Sequence, residues 1–262
     1  SKKLMFDLKS KIILITGGAG LLGSRMVKTI YKNGGSPIVI DNDQKKIDKL
    51  KKSFKNNINS IYFYKVDITK KNQIKNLIDK VHKKFKRIDC LINNAGFNPK
   101  LTSKSNKFEN FSIKQWDKEI QIGLTGSLLI TQEVVKKMIN QKNGNIINIS
   151  SDLGIIAPNQ FLYEKNNKKP ISYSVVKHGM IGFSKYLATY LAEYNIRSNT
   201  LCPGGISNNQ PKKFVNKIKK LIPLKRMAEI NDYDGIILYL CSDYSSYMTG
   251  STIVCDGGRS SW

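Results

Sequence analysis

Residues 11–23 read Lys-Ile-Ile-Leu-Ile-Thr-Gly-Gly-Ala-Gly-Leu-Leu-Gly, and this stretch decides the fold. An apolar run of strand length leads into closely spaced glycines, and the apolar positions after them keep helical spacing: Met26, Val27, Ile30 and Tyr31. Glycines let a backbone approach a pyrophosphate, and a helix N-terminus offers unpaired N–H groups to its charge. The stretch therefore predicts a dinucleotide-binding turn, with a plain glycine turn between core elements as the alternative.

An acidic residue ends the strand expected next. Residues 37–40 are the apolar run Pro-Ile-Val-Ile, and Asp41 follows directly. At this distance from the glycines a carboxylate bonds the adenosine ribose hydroxyls of NAD, and its charge repels the 2′-phosphate of NADP. Asp41 therefore predicts NAD in preference to NADP. Asp43 and Lys45 lie so close that the sequence leaves open which of the three faces the ribose.

The rest of the chain alternates short apolar runs with amphipathic stretches. Further strands are expected near residues 60–66, 88–93, 145–150, 196–202 and 251–255. Residues 45–54 and 71–85 keep apolar positions at helical spacing. Ser112 and Gln115 form a capping box that begins another helix. This alternation predicts an α/β fold: a doubly wound (Rossmann) parallel seven-stranded sheet with helices on both faces.

Length and composition limit the class of protein. No linker or repeat divides the 262 residues, so residues 1–262 are expected to form a single domain. The chain is 40% hydrophobic, and no apolar run approaches the roughly 18 residues that span a bilayer. The N-terminal residues are basic with no apolar stretch after them, which argues against a signal peptide. We therefore expect a cytoplasmic protein with no membrane partner.

The formal charge of +25 is compatible with nucleic-acid binding. However, the lysines fall on the polar faces of separate helices, as Lys75, Lys80 and Lys84 do within residues 71–85. Aromatic residues are not interleaved with them as they are on strand-binding surfaces. We therefore expect a small-molecule substrate and no nucleic-acid partner.

The cysteines show no metal-ligand spacing. Cys90, Cys202, Cys241 and Cys255 each lie in an apolar stretch, which predicts reduced, buried thiols. His82 and His178 are the only histidines and lie far from the cysteines in sequence. No metal site is expected.

The segment Tyr173-Ser-Val-Val-Lys177 places a phenol and an ammonium on one face of an expected helix. A lysine charge favours the phenolate, so the pKa of the tyrosine is expected to fall from about 10 towards working pH. Such a tyrosine can act as a general acid or base. In a lysine-rich chain the pair alone also arises by chance, so its meaning depends on the motifs around it.

Several motifs together resemble the short-chain dehydrogenases/reductases, in their compact single-domain branch. Besides the glycine turn and the tyrosine–lysine pair, they are Asp67-Ile-Thr69, Asn93-Asn-Ala-Gly96, Asn148-Ile-Ser-Ser151, Pro203-Gly204, Thr249-Gly250 and Asp256-Gly-Gly258. The resemblance covers nearly the whole chain. It implies an NAD(P)-dependent oxidoreductase that interconverts a secondary alcohol and a ketone and forms a homodimer or homotetramer.

The resemblance also implies roles for individual residues. Tyr173 would move the hydroxyl proton, Ser151 would hold the substrate oxygen, and Lys177 would lower the phenol pKa and bond the nicotinamide ribose. Ser150 is the rival of Ser151, but the family's catalytic serine is the second of the pair. The implied cofactor-binding residues are Gly17, Gly20, Leu22, Gly23, Asp41, Asp67, Ile68, Asn93, Asn94, Ala95, Gly96, Tyr173, Lys177, Pro203, Gly204 and Ile206. A cap, a turn or a strand end is the structural alternative for Asp67, residues 93–96 and Asp256.

Three positions depart from the family pattern. The spacing Gly17-x-x-Gly20-x-x-Gly23 resembles the larger branch of sugar-nucleotide epimerases and dehydratases, but 262 residues leave little room for that branch's added substrate domain. Gly123 stands where the family has a catalytic asparagine within a helix kink. Glycine is expected to allow the kink and to leave its carbonyl free for a relay water. Asn208 stands where a threonine usually contacts the cofactor amide.

An insertion at residues 158–170 makes the chain between Ser151 and Tyr173 longer than in the family. Together with a substrate lid expected at residues 208–222, it is polar and basic, which favours a sugar or sugar phosphate as the substrate. The candidate substrate contacts are Gln160, Tyr163 and Asn208. The combination resembles a branch found with surface-glycan and flagellin-modification sugars. A plain surface loop is the alternative for the insertion.

Two further functions stay open at this point. One is a sugar epimerase or dehydratase that retains its NAD and shows no net redox change. The other is a catalytically weak cofactor-binding protein, which Gly123 and the basic surface would suit.

Overall fold

The computed structural model describes residues 6–54, 59–96 and 107–262 and places a parallel seven-stranded sheet at their centre. The strands are β1 (Ile12–Thr16), β2 (Ser36–Asp41), β3 (Tyr62–Lys65), β4 (Cys90–Asn93), β5 (Gly144–Ile149), β6 (Ile196–Pro203) and β7 (Thr252–Cys255). Their order is β3-β2-β1-β4-β5-β6-β7, and every neighbouring pair is parallel. The strand order reverses between β1 and β4, which is where such sheets open a ligand crevice at their carboxyl ends.

Helices connect the strands and lie on both faces of the sheet. They are α1 (Leu21–Lys32), α2 (Gln44–Lys52), α3 (Lys71–Phe85), α4 (Ile113–Ile120), α5 (Gly126–Gln141), α6 (Ile171–Tyr190), α7 (Lys212–Lys219) and α8 (Asp234–Cys241). A π-helical segment, Gln121–Thr125, joins α4 to α5. Parallel strands require such crossover connections, and a covered sheet follows from them.

The two faces of the sheet form two separate apolar cores. Successive strand residues point to opposite faces, so neighbouring residues of β1 enter different cores. Leu14 packs with Ile130 of α5 on one side, in a core that α3 and α6 also cover. Ile15 packs with Met26 of α1 on the other side, in a core that α8 also covers. Burial on both faces explains why the strands are continuously apolar in sequence.

The predicted elements are confirmed, with small changes at their ends. All seven expected strands occur, although β3 is confined to Tyr62–Lys65 and β4 begins at Cys90. The capping box is only half formed. Ser112 Oγ accepts from the Gln115 N–H at 3.4 Å, but the Gln115 amide donates to Glu119 Oε1 at 2.9 Å. Gln115 therefore does not return to the N-cap, because a buried carboxylate one turn further along the helix takes its amide.

The cysteines of the chain are free thiols. Cys90, Cys202 and Cys241 are buried and Cys255 is half-buried. Across residues 6–54, 59–96 and 107–262, no three His, Cys, Asp or Glu side chains are grouped so that they could hold a metal ion. In the same ranges, no helix has both the length and the apolar character needed to cross a bilayer.

The carboxyl ends of the central strands gather the predicted site residues at one edge of the sheet. Asn93 is the last residue of β4, Ser150 and Ser151 follow β5, and Pro203 ends β6. Tyr173 lies in the first turn of α6, which packs beside β5 at this edge. Residues far apart in sequence are thereby brought to one edge of the sheet.

Candidate active site at the carboxyl edge of the sheet

The turn between β1 and α1 closes tightly against the loop after β4. Gly17 has a φ of +60°, and a Cβ there would lie 2.9 Å from the Cα of Ala95. A side chain at Gly23 would overlap the carbonyl oxygen of Gly17. Asn94 joins the two segments, because its Nδ2 donates to the carbonyl oxygens of Thr16 at 3.0 Å and Gly17 at 3.1 Å. The glycines are thus required by the close approach of two backbones.

The N-terminus of α1 has the features of an anion site. Gly20 is the N-cap residue, and in the described part of the chain no side chain caps this helix end. The N–H groups of the first turn can therefore donate to phosphate oxygens, and the helix dipole favours negative charge there. The Leu22 side chain packs partly into the core, which leaves its main chain for such a contact. The cradle fits the pyrophosphate of a dinucleotide.

Asp41 lies against this glycine turn. It is 8% exposed, and its carboxylate accepts from the N–H groups of Ala19 and Asp43, both at 3.1 Å. The Asp43 carboxylate instead caps α2 by accepting from the Lys46 N–H at 3.2 Å. Lys45 is exposed on the same helix. Of the three charged residues that the sequence left open, Asp41 is the one beside the turn.

The side chains of three further predicted cofactor residues are engaged within the protein. Oδ1 of Asp67 accepts from the N–H and the hydroxyl of Thr69, at 2.9 and 2.8 Å, so this carboxylate caps its own turn. Ile68 is 7% exposed and packs in the apolar core. Asn93 donates to Asn148 Oδ1 at 2.9 Å within the sheet. For Ile68 and Asn93, a contact with a nucleotide therefore has to come from main-chain atoms.

Two loops lead towards the tyrosine–lysine pair. At Gly96, after β4, a Cβ would lie 3.8 Å from Lys177 Nζ, so this loop borders the lysine. After Pro203 and Gly204, the loop is held by Gln210, whose Nε2 donates to the Ile206 carbonyl at 2.8 Å. Gln210 Oε1 accepts from the main-chain N–H of Asn208 at 2.7 Å, and Asn208 itself is exposed.

The two serines after β5 face different ways, as neighbouring residues of an extended chain do. Ser150 Oγ donates to the main-chain carbonyl of Lys177 at 2.6 Å. Ser151 is buried, and its hydroxyl lies close enough to the Tyr173 phenol to act against the rise of the phenol pKa. Its hydroxyl also donates to Asp152 Oδ1 at 2.8 Å. The structure therefore brings Ser151, and not Ser150, to the tyrosine.

Tyr173 and Lys177 lie on one face of α6, with Lys177 Nζ 5.7 Å from the centre of the Tyr173 ring. Nζ donates to the Ile149 carbonyl oxygen at 3.0 Å, and burial lowers the pKa of Lys177 to about 8. Burial raises the pKa of Tyr173 above its ordinary value, and the opposing influence of the nearby Ser151 hydroxyl is smaller. The expectation that Lys177 brings the phenol pKa down is wrong in this structure, because desolvation of the phenolate is the larger effect.

A buried ion pair beside Ser151 was missed by sequence reasoning. Arg259 Nη1 donates to Asp152 Oδ2 at 2.7 Å, and the two residues are 6% and 2% exposed. Because the other oxygen of Asp152 accepts the Ser151 hydroxyl, the pair connects the C-terminal segment to that serine. The available signals were an acidic residue directly after the two serines and an arginine directly after Gly258.

Gly123 lies in the π-helical segment, so the expected irregularity of the helix is present. The expectation of a free carbonyl is wrong, because the Gly123 oxygen accepts from Ser127 Oγ at 2.8 Å. A Cβ at this position would overlap Cγ1 of Val176 from α6. Val176 thus occupies the space that a side chain at position 123 would need.

The insertion at residues 158–170 packs against the lid at residues 208–222. Leu162 is buried in a small apolar cluster with Ile218 and Ile222. The Tyr163 ring lies 5.6 Å from the ring of Phe214 on α7, measured between centres. Burial raises the pKa of Tyr163 to about 12. The insertion is therefore packed in part against residues 208–222, and its contribution to substrate binding stays a prediction.

Gln160 holds the insertion in shape. Its Oε1 accepts from the Lys169 N–H at 3.1 Å, and its Nε2 donates to the Lys169 carbonyl at 3.3 Å. These contacts correct the expectation that the Gln160 amide bonds a substrate. Lys169, the residue that Gln160 holds, was not singled out from the sequence. Its Nζ lies 3.7 Å from the centre of the Tyr173 ring, closer than the Nζ of Lys177. Its position four residues before Tyr173 was the available signal.

We expect Gly123→Asn to lower the free energy of unfolding by about 1–3 kcal/mol, because the new side chain would overpack against Val176. The double variant Gly123→Asn/Val176→Ala should be more stable than Gly123→Asn alone, since removal of Cγ1 opens the space. Urea unfolding of the two single variants and the double variant measures the coupling. If the loss of unfolding free energy in the double variant equals the sum of the losses in the two single variants, then Val176 does not determine which side chains fit at position 123.

We expect Arg259→Met to cost about 3–5 kcal/mol of stability, because it leaves the Asp152 carboxylate buried without its cation. The matched control is Arg226→Met, which removes an arginine from the solvent-exposed pair with Asp232 and should cost less than about 1 kcal/mol. Denaturant unfolding of both variants tests the difference. Equal losses of unfolding free energy in the two variants would contradict the expectation that the buried Asp152–Arg259 pair contributes more to stability than the exposed pair.

Comparison with known proteins agrees with this geometry. The family model described as enoyl-(acyl carrier protein) reductase, of the short-chain dehydrogenase type, matches residues 19–260. The post-translational flagellin modification protein A of Campylobacter coli is 34% identical over 253 residues, covering 96% of this chain and 98% of that protein. The 3-oxoacyl-acyl-carrier-protein reductase FabG of Thermotoga maritima is 35% identical over 255 residues, covering 96% of this chain and 98% of that protein.

A solved structure shows the same architecture. The short-chain dehydrogenase of Leptospira borgpetersenii with bound NAD⁺ is 30% identical, with a TM-score of 0.89 over 99% of this chain and 97% of that one. The family model begins within the glycine turn and includes the segment that carries Tyr173 and Lys177, and the match to the solved structure covers 99% of this chain. This chain therefore belongs to the short-chain dehydrogenase/reductase family of nicotinamide-dependent oxidoreductases.

Proposed function

We propose that this protein interconverts a secondary alcohol and a ketone with a nicotinamide cofactor, and that Ser151, Tyr173 and Lys177 are its catalytic residues. The observation that carries the proposal is the position of the buried Ser151 hydroxyl near the Tyr173 phenol, with Lys177 one helical turn further along α6. This group lies at the sheet edge that also carries the glycine turn. The cofactor supplies hydride exchange with the substrate carbon, and the protein supplies binding and proton transfer.

The roles follow from what each side chain can donate or accept. Ser151 and Tyr173 together can hold one oxygen of the substrate between two hydroxyl groups. Tyr173 takes the alcohol proton in oxidation and returns it in reduction, which contributes about 10²–10⁴ in rate. Lys177 is held by the Ile149 carbonyl near the Gly96 loop, where its ammonium can bond the nicotinamide ribose.

The substrate that we propose is a sugar or sugar phosphate. The region around Tyr173 contains the charged side chains of Asp152, Lys169 and Arg259, which suit a hydroxylated substrate better than an acyl chain. The insertion and the expected substrate lid pack together, and both are rich in polar and basic residues, which suits a sugar or sugar phosphate. The similarity to a flagellin modification protein supports this choice. The similarity to FabG makes a 3-oxoacyl substrate the competing candidate.

For the proton-transfer role, we expect Tyr173→Phe to lower kcat by at least about 100-fold while the Kd for NAD⁺ stays within about twofold, because the lost hydroxyl moves a proton and holds little of the dinucleotide. NADH formation with polyols, and NADH consumption with ketoses and 3-oxoacyl thioesters, measure turnover. Tyr190→Phe, an exposed tyrosine on the same helix, is the control.

Retained activity in Tyr173→Phe would reject the proposed mechanism. Bound NAD⁺ with no turnover of any class by the unaltered protein would favour the cofactor-binding alternative. Product formation without accumulation of NADH would favour the cofactor-retaining epimerase or dehydratase.

For the cofactor, we propose NAD in preference to NADP, supported by the position of the Asp41 carboxylate beside the glycine turn. We expect Asp41→Ala to reduce the ratio of kcat/KM for NAD over NADP by about tenfold, since both a hydrogen bond and a repulsive charge are removed. Asp43→Ala removes the neighbouring carboxylate, which caps α2, and should leave the ratio unchanged. Equal efficiency with both cofactors in the unaltered protein would reject the preference.

A further inference from the structure

We propose that the buried pair of Asp152 and Arg259 positions Ser151, so that the serine hydroxyl stays beside the Tyr173 phenol. Asp152 and Arg259 are thus positioning residues, which act on the reaction through the serine. The inference rests on the proposed function, since Ser151 is the residue proposed to hold the substrate oxygen. It assigns a role in that reaction to two residues that lie just outside the sequence motifs.

The hydrogen bonds around Ser151 Oγ have a fixed direction. Asp152 pairs with the Arg259 cation as a carboxylate, which carries no hydrogen and can only accept. The Ser151 hydroxyl therefore donates to Asp152 Oδ1, at 2.8 Å. The Leu153 N–H donates to Ser151 Oγ at 3.2 Å. The hydrogen and one lone pair of this hydroxyl are thus engaged within the protein, which fixes how the oxygen is turned.

The Asp152 carboxylate is itself held at both of its oxygens. Oδ1 also accepts from the Leu153 N–H at 2.8 Å, and Oδ2 accepts from Arg259 Nη1 at 2.7 Å. Asp152 and Arg259 are only 2% and 6% exposed, so solvent has little access to these bonds. Hydrogen bonds to a charged group are stronger than those between neutral groups. The carboxylate can therefore hold the serine hydroxyl in one of its staggered positions.

The C-terminal segment that carries Arg259 is also packed in place. The Asp256 carboxylate accepts from the N–H groups of Gly258 at 2.9 Å and Ser260 at 2.8 Å. Gly258 has a φ of +87°, and a Cβ there would lie 2.8 Å from Cγ of Pro223. The turn therefore needs glycine at this position, and the residue that follows it, Arg259, is buried.

A buried ion pair is not required merely to hold such a segment against the protein. Apolar side chains of similar volume often stabilise a fold as well or better. A carboxylate offers what they lack, which is an acceptor at a fixed position for a neighbouring hydroxyl. In this protein that hydroxyl belongs to Ser151, whose oxygen lies near the Tyr173 phenol. The pair therefore suits a role in positioning better than a role in stability alone.

The test removes both charges at once, because this separates positioning from stability. Asp152→Leu/Arg259→Met leaves no buried charge without a partner, so it should be more stable than Arg259→Met alone. Arg259→Lys keeps the cation. Lys75→Met/Asp79→Leu, which removes an exposed ion pair from α3, is the matched control. Urea unfolding of each variant checks that the fold is kept.

The first measurement is the position of Ser151 Oγ in crystal structures of these proteins. We expect one rotamer, beside Tyr173, in the unaltered protein, in Arg259→Lys and in the control. In Asp152→Leu/Arg259→Met we expect Oγ to occupy other staggered positions, because its acceptor is gone. An unchanged Ser151 rotamer in this variant would overturn the proposal, and this result does not depend on a substrate.

The second measurement is kcat, with glucitol or gluconate and NAD⁺ and with an acetoacetyl thioester and NADH. We expect Asp152→Leu/Arg259→Met to lower kcat about tenfold, as the loss of one well-placed hydrogen bond does, while the Kd for NAD⁺ is unchanged. Arg259→Lys and the control should keep most of the activity. In a Ser151→Ala background, the same two substitutions should lower kcat no further, since they act through the serine.

Two kinetic results would overturn the proposal: an unchanged kcat in Asp152→Leu/Arg259→Met, or a further tenfold loss when the two substitutions are added to Ser151→Ala. Failure of the proposed function is a separate result. It would appear as full activity in Ser151→Ala or Tyr173→Phe, or as no turnover of any of these compounds by the unaltered protein. In that last case the crystal structures alone decide whether the pair positions Ser151.

Discussion

The pair of hydrogen bonds between α6 and the end of β5 is the constraint on which the site depends. Lys177 Nζ donates to the Ile149 carbonyl, and Ser150 Oγ donates back to the Lys177 carbonyl. Each bond satisfies a polar group that would otherwise be buried at cost. Together they fix the rotation and height of α6 against the strand. Tyr173 and Ser151 are neighbours of these bonding residues, so their meeting follows from the same constraint.

Close to these hydrogen bonds, the packing of α6 is adapted to the glycine at position 123. With glycine at position 123, Val176 fills the space from the same helix that carries Tyr173. The irregular helix is kept, and its carbonyl bonds Ser127. A side-chain amide cannot be restored at this position without repacking α6.

Charge in the site is arranged by segments that are distant in sequence. The C-terminal Arg259 balances Asp152, which in turn holds the hydroxyl of Ser151. The insertion places the Lys169 ammonium over the ring of Tyr173. The same insertion packs on α7 of the lid through Leu162 and Tyr163. One small apolar cluster therefore holds the insertion against residues 208–222.

The sequence by itself determined the sheet, its helices and the family, and it singled out Ser151, Tyr173 and Lys177 as candidate catalytic residues. These features depend on local signals: apolar runs of strand length, glycines in a tight turn, and a tyrosine and lysine one helical turn apart. It also singled out Asp41, but it could not decide between this residue and its neighbours. It assigned Gln160 to the substrate, whereas the side chain bonds the main chain of its own loop.

Only the tertiary structure decided the electrostatics. Whether the pKa of Tyr173 rises or falls depends on burial by segments that fold around it, and no spacing in the sequence measures burial. The pairing of Asp152 with Arg259 and the position of Lys169 over the ring join residues across separate loops. Such contacts depend on how those loops pack, because hydrogen bonds and charges act over a few ångströms in space and are indifferent to distance along the chain.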